Sequence, residues 1–281
     1  MRLPHPYALE HVLAPTPSLT VFVAEASSGQ VVGLLAIDES GPRPLVVGPL
    51  VPDDQLAELY GRALLEYALG WARLNGIALV QVKVDLDEER GIGFYLNQGF
   101  LALEARQYLL EAHPDKKPTL PEPKGFAFGP CPEMLSSDYL RLYQGIGGPL
   151  GWPDRASWSR PQVFEHLQRP GMHLLAAREG DTFIGFAELE ARGPGEAELI
   201  HFGLLEPYRG RGLGGSFLEH ALQHAWEQWK LNRIWAIGHS TDHPACLPTY
   251  LGHGFTKARA MVFLEKDLES APQPKADLLA Q

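Results

Sequence analysis

Cysteine is scarce in this chain. Cys131 and Cys246 are the two in 281 residues, far apart and without the short spacing of a metal site. That excludes a disulfide framework and argues against bound metal, and a reducing cytoplasm is the expected compartment. Long apolar runs are also missing. No stretch approaches the roughly 18 apolar residues of a spanning helix, and the opening Met1-Arg2-Leu3-Pro4-His5-Pro6 has no apolar leader core, so neither membrane insertion nor export is expected. Positive charge is in deficit, 24 Lys and Arg against 34 Asp and Glu, for a net charge of -10. This balance argues against a nucleic-acid partner and is compatible with attraction of cationic amines.

What is present is an ordinary globular composition, 45% hydrophobic and 21% charged, which points to a soluble protein with room for two cores. Between Glu111 and Lys124 fall Pro114, Pro118, Pro121 and Pro123, a run that can hold neither a helix nor a central strand. The expected layout is a first domain over 1–110, a linker over 111–124, a second domain over 125–268 and a loose tail over 269–281.

The two domains are copies of one another. Shifted by 155 positions, Gly48, Leu50, Pro52, Trp71, Asp87, Tyr95, Leu96, Gly99 and Phe100 fall on Gly203, Leu205, Pro207, Trp226, Asp242, Tyr250, Leu251, Gly254 and Phe255 without a gap. A repeat of this kind decides how many folding units need explaining. In the second copy, Met172 to Ala177 and Phe183 to Glu190 read as a hairpin, Glu198 to Leu205 as a further strand, Ile234 to Gly238 as a short buried strand and Ala258 to Leu264 as the closing one. Apolar residues from Phe217 to Trp229 recur at three- and four-residue spacing and predict a helix from about Gly212 to Trp229, with a second over Pro244 to Gly252. The first copy shows strands at Thr20 to Ala24, Val31 to Ile37, Leu45 to Leu50 and Leu79 to Val84, and helical segments at Asp53 to Leu74 and Gly91 to Asn97. It lacks counterparts of a strand at Phe126 to Gly129 and of helices at Pro132 to Tyr143 and Pro161 to Gln168, so it reads as truncated. The fold class is mixed α/β.

Gly210, Gly212 and Gly215 spell a glycine-rich turn at the mouth of the long helix. A plain turn, a dinucleotide site and a pyrophosphate site compete for it. A dinucleotide turn follows its strand directly and has an acidic residue about twenty positions on. Here Glu206-Pro207-Tyr208-Arg209 intervene, and the strands ahead of the turn read as antiparallel. A pyrophosphate site gains from the same facts, because small residues at 210, 212 and 214 let backbone N–H groups converge where the helix presents its positive end. Arg209 and Arg211 add permanent charge with forked donors.

Leu204 to Gly214, with Arg209, Gly212 and Gly214 at the key positions, resembles motif A of the GNAT N-acetyltransferase superfamily. Tyr250-Leu251-Gly252-His253-Gly254-Phe255 resembles its motif B. The resemblance covers nearly all of 125–268 and implies two tandem GNAT acyl-coenzyme-A N-acyltransferase folds, the first truncated, with acetyl-CoA as co-substrate. It implies that two strands splay to hold the pantetheine arm against Phe202, Gly203 and Leu204, and that Arg209, Gly210, Arg211, Gly212, Leu213, Gly214 and Gly215 grip the pyrophosphate. His243 stands where the family often has Asn and is a candidate coenzyme contact.

The same resemblance implies direct acetyl transfer to a small-molecule primary amine in a ternary complex. A free amine with a pKa of about 10.4 must first lose a proton. The Leu204 N–H is the candidate oxyanion donor, Tyr250 the candidate general acid and Glu198 the candidate general base, with Glu188 and His201 as rivals. Trp152, Arg155 and Trp158, with Glu188, are candidate acceptor contacts. In the first copy the shift places Asp54, Ala57 and Leu59 where Arg209, Gly212 and Gly214 stand, so that copy is expected to be a degenerate, structural one. The tandem layout also resembles the mycothiol synthases, implying an amino-sugar-cysteine acceptor as a second reading, and a non-catalytic acyl-CoA sensor or scaffold as a third.

Overall fold

The computed structural model describes residues 18–41, 43–52, 56–114 and 123–269. The core of the expected linker, the tail beyond 269 and Asp54 lie outside them. The chain divides into two compact units, one of residues up to Arg106 together with those from Ala260 onward, the other Gln107–Arg259.

In the first unit β1 (Leu19–Glu25) and β2 (Val31–Asp38) form an antiparallel hairpin, β3 (Leu45–Leu50) continues it and β4 (Leu79–Asp85) runs parallel to β3. Helix α1 (Ala57–Leu74) turns Leu64, Leu65, Ala68, Leu69 and Ala72 onto the sheet. That three- and four-residue spacing is one helical face, and each large side chain so buried contributes roughly 1.5–3 kcal/mol. Helix α2 (Glu89–Asn97) adds Tyr95 to the same core. Strand β5 (Leu101–Ala112), absent from the strand pattern read along the sequence, follows.

The second unit opens with β6 (Phe126–Pro130), then α3 (Ser136–Gly147) and α4 (Arg160–Leu167). Ser159 caps α4, its backbone N–H donating to Gln162 Oε1 at 2.8 Å, one arm of a capping box. Strands β7 (Met172–Glu179), β8 (Thr182–Gly193) and β9 (Glu196–Leu204) are antiparallel neighbours. Helix α5 (Leu213–Gln228) carries the chain to β10 (Arg233–His239), parallel to β9, and α6 (Cys246–Gly252) precedes β11 (Phe255–Asp267). Tyr139, Leu142, Tyr143 and Ile146 of α3 pack on one face of the sheet. Phe217, Leu218, Ala221 and Leu222 of α5 pack on the other.

The unit boundaries differ from the expected domain limits. Residues 261–267 of β11 pair with β4 and complete the first unit's sheet, whereas 107–112 of β5 pair with β10 and complete the second's. The 155-residue shift lays β5 on β11, so the two strands hold equivalent places in the two copies. Periodicity along the chain does not record which sheet each one joins.

Candidate active site

Strands β9 and β10 begin side by side and then part. They pair from Arg233 and Glu196 to Ala236 and Leu199, yet β9 runs on to Leu204 and β10 to His239. A cavity of about 790 Å³ fills the opening, with Ile200, Phe202, Gly203 and Leu204 on one side and Ile237 and His239 on the other. The chain beyond Leu204 turns through Glu206–Tyr208 into α5, whose first residues stand at the mouth of the cavity.

The glycines there have different reasons. Gly210 and Gly212 sit at φ +73° and +75°, left-handed backbone that glycine adopts without strain, and Gly212 caps α5. A Cβ on Gly214 would meet nothing within 4 Å, so this side of the helix is open space. At Gly215 a Cβ would lie 2.2 Å from His253 Nε2, and that glycine is required by packing. Gly210, Gly212, Gly214, Gly215 and Arg209 all line the cavity.

Arg209 directs Nε to the Leu204 carbonyl at 2.9 Å and Nη2 to the Ile146 carbonyl at 3.4 Å. Its charge therefore stands at the cavity wall while part of its fork braces the end of β9. Two residues expected in the grip are placed elsewhere. Arg211 is exposed, 5.2 Å over the Tyr208 ring, and Leu213 is buried in the core beneath α5. Neither side chain lines the cavity: Arg211 precedes the helix cap and is exposed, and Leu213, the first helical residue, is buried in the core.

At the other end of the cavity lie Trp152, Asp154 and His201. Behind them is Glu188, 0% exposed. Its Oε1 accepts from Arg155 Nη2 at 2.6 Å and lies 2.5 Å from His166 Nε2; its Oε2 accepts from the Tyr139 hydroxyl at 2.7 Å and faces His201 Nδ1 at 3.0 Å. Burial works to raise the Glu188 pKa, but these partners hold it well below the usual carboxylate range. His201 Nε2 is 3.0 Å from Asp154 Oδ2, and Asp154 also accepts from the Tyr143 hydroxyl at 2.8 Å and from Arg155 Nη1 at 2.9 Å. Desolvation opposes ionisation of Asp154, yet the bond from His201 leads a set of interactions that bring it down to about 2. Burial lowers the His201 pKa, and the bonds to Asp154 and Glu188 outweigh it, so the net direction is up.

Of the expected acceptor contacts, Trp152 lines the cavity, its ring seated where a Cβ of Gly147 would be. Arg155, Trp158 and Glu188 do not. Arg155 is buried and shared between two carboxylates, its guanidinium 4.5 Å over Trp158. A buried charge is tolerable only when paired, and pairing leaves Glu188 and Arg155 no face toward a ligand. Asp154 was not singled out along the sequence, since a lone loop aspartate has no periodic signal.

Tyr250 lines the cavity with its ring edge-on to Phe255 at 5.0 Å and to Phe202 at 6.1 Å. Burial, then Cys246 and Asp242, keep its phenol protonated well beyond the ordinary range. His243 also lines the cavity, its Nδ1 accepting from the Ala245 N–H at 3.2 Å. Glu198 does not line it. Arg192 Nε donates to Glu198 Oε2 at 2.6 Å, and burial raises the Glu198 pKa against that pull. The register of β8 and β9 slips between Glu188 and Leu189, leaving Ile200 as an extra residue. The slip places Leu199 and Phe202 together against α5 and aims His201 at Glu188. Among the described residues no group of three or more His, Cys, Asp or Glu could hold a metal ion, and no helix is long and apolar enough to cross a membrane.

The second unit is thus a mixed α/β fold whose sheet parts between two parallel strands, with a glycine-lined helix start at the opening. Residues 136–255, most of the second unit, match the Acetyltransferase (GNAT) family. It is 38% identical over 109 residues to a mycothiol acetyltransferase of Thermobispora bispora, a stretch covering 38% of this chain and 33% of that protein. It is 29% identical over 103 residues to the N-alpha-acetyltransferase RimI of Mycobacterium tuberculosis, covering 36% and 62%. The chain thus spans less than two thirds of either relative's length. Among solved structures it resembles a tandem GNAT protein from the clavulanic acid biosynthesis pathway (TM-score 0.67, 18% identity, 92% of this chain and 86% of that one). It also resembles a GCN5-related N-acetyltransferase from Sphaerobacter thermophilus (TM-score 0.74, 12% identity, 94% and 85%). The fold is that of two GNAT units in tandem.

Proposed function

We propose that the second unit binds acetyl-coenzyme A in the cavity and transfers the acetyl group to a primary amine of a small molecule, directly within a ternary complex. The observation that carries this reading is the parting of β9 from β10 beyond Leu199 and Ala236. It frees an edge of β9 backbone for the amides of a pantetheine arm, while the open glycines at the start of α5 offer N–H groups and the positive helix end to phosphate. The coenzyme supplies the activated thioester. The Leu204 N–H stabilises charge on the acyl oxygen as a fixed dipole, Arg209 adds positive charge at the pyrophosphate, and Tyr250 gives a proton to the departing sulfur. His243 is a further contact for the coenzyme.

Coenzyme binding is assigned to the second unit alone. In the first copy the position equivalent to Leu204 is Pro49, which has no N–H to donate and packs 3.0 Å from where a Cβ of Gly61 would lie. Tyr95, equivalent to Tyr250, is sealed at 1% exposure, and its hydroxyl has no hydrogen-bond partner among the described residues. The first unit then serves a structural role.

The likeness to a mycothiol acetyltransferase favours, as a second reading, an amino-sugar-cysteine acceptor. Coenzyme A release, measured by chromatography with glucosamine, tyramine, spermidine and an amino-sugar-cysteine conjugate, separates these readings. Release with at least one amine supports the transferase. Calorimetric binding of acetyl-CoA with no release from any of them would make the protein a sensor or scaffold.

A further inference from the structure

We propose that His201 is the general base of this transfer, that Asp154 and Trp152 seat the acceptor in its ammonium form, and that Glu188 is the positioning residue that fixes the imidazole. The inference rests on the transferase reading and names the substrate class that the acceptor end of the cavity suits. Glu188 is fully buried, and each of its oxygens already faces two donors. His201 Nδ1 is thereby committed to Glu188. The other ring nitrogen, Nε2, faces Asp154, whose side chain is 45% exposed at the cavity. Proton exchange with a ligand is open at that nitrogen only.

Charge counting supports a cation. The groups facing His201 are Glu188 from β8, Asp154 from the loop before α4, and the rings of Tyr143 from α3, Trp152 and Phe186. Arg155, His166 and Tyr139 stand on Glu188 behind it, and Glu198, held by Arg192, acts on it from β9. Glu188 and Asp154 against Arg155 leave one negative charge. A single positive charge balances it, either on an ammonium at Asp154 with a neutral imidazole or on His201 itself. The arrangement with both ring nitrogens against carboxylates is the second of these. Trp152, 4.9 Å from the His201 ring, supplies an aromatic face for the same cation.

In the step itself the ammonium gives one proton to His201 Nε2, and the freed nitrogen lone pair forms the C–N bond to the acyl carbon as the C–S bond breaks. The electron pair of that bond leaves on sulfur, which takes the Tyr250 proton. The second amine proton restores Tyr250 through solvent, and His201 returns the first to solvent. One proton is released for each amide formed, and the positive charge never leaves the cluster until the amide is made.

The test is the pH profile of kcat/KM for coenzyme A release with the best amine of the panel, with acetyl-CoA affinity as the control for folding. Activity requires neutral His201, so the rate rises with pH through a pKa lifted by Asp154 and Glu188. Glu188→Gln removes one lifting charge and is expected to move the rising limb to lower pH by roughly one unit. Asp154→Asn, partly exposed and therefore safer for folding, moves it the same way and raises the amine KM about tenfold or more. His201→Gln lowers kcat at least about a hundredfold with coenzyme affinity kept. A limb that stays in place in both carboxylate variants, with wild-type turnover normal, overturns the base assignment alone. Failure of the wild type to release coenzyme with any amine overturns the transferase reading beneath it.

Discussion

Gly215 and His253 meet with no room between them: a Cβ on the glycine would stand 2.2 Å from His253 Nε2. The ring cannot simply swing clear, because its Nδ1 is 2.8 Å from Glu219 Oε1. The start of α5 and the end of α6 are joined at the cavity by this contact. Gly215→Ala is expected to lower stability by about 1–3 kcal/mol through overpacking and to weaken acetyl-CoA binding as the imidazole is pushed into the cavity. Thermal unfolding and calorimetry check both. Adding His253→Ala is expected to recover most of the loss, a coupling that only residues in contact show; additive losses would mean the glycine matters for another reason.

The two equivalent tyrosines provide an internal comparison. Tyr250→Phe is expected to keep acetyl-CoA affinity and lower kcat by about a hundredfold or more, the range for loss of a general acid. Tyr95→Phe removes a buried hydroxyl that has no partner among the described residues and is expected to leave kcat unchanged while stability holds or rises. Equal turnover in wild type and Tyr250→Phe would remove Tyr250 from the chemistry.

Lys83, on β4 of the first unit, is pushed down to about 8 by burial. Its folded pKa lies below its unfolded one, so charge on Lys83 costs stability throughout the range below about 8, and the cost fades as pH climbs from there toward the unfolded value. Lys83→Met is expected to stabilise the protein at pH 7, by at most about 3 kcal/mol, and the gain should shrink above pH 9. Chemical denaturation at pH 7 and pH 9.5 reads the difference. A gain independent of pH would assign it to packing.

Much of this end of the cavity was legible in the sequence because its signals are contiguous. Arg209 to Gly215 and Tyr250 to Phe255 each lie in one short run, and backbone N–H groups at a helix start need only small residues in a row. Arg211 and Leu213 show the limit of that reading. The motif names a segment, but the backbone path into α5 decides which of its side chains face the cavity.

The repeat, most of the strands and helices and the glycine turn at 210–215 were determined by the sequence itself, because each follows from local periodicity or from residues adjacent in the chain. Tertiary structure decided two things. It closed each sheet with a strand from the other half, β11 on β4 and β5 on β10, pairings between residues far apart in the chain. It also gathered Asp154, Glu188 and His201 from a loop and two strands, with an extra residue at Ile200 turning His201 toward Glu188. A hydrogen-bonded cluster assembled across such separations depends on register and on burial, and neither is written in the spacing of its residues.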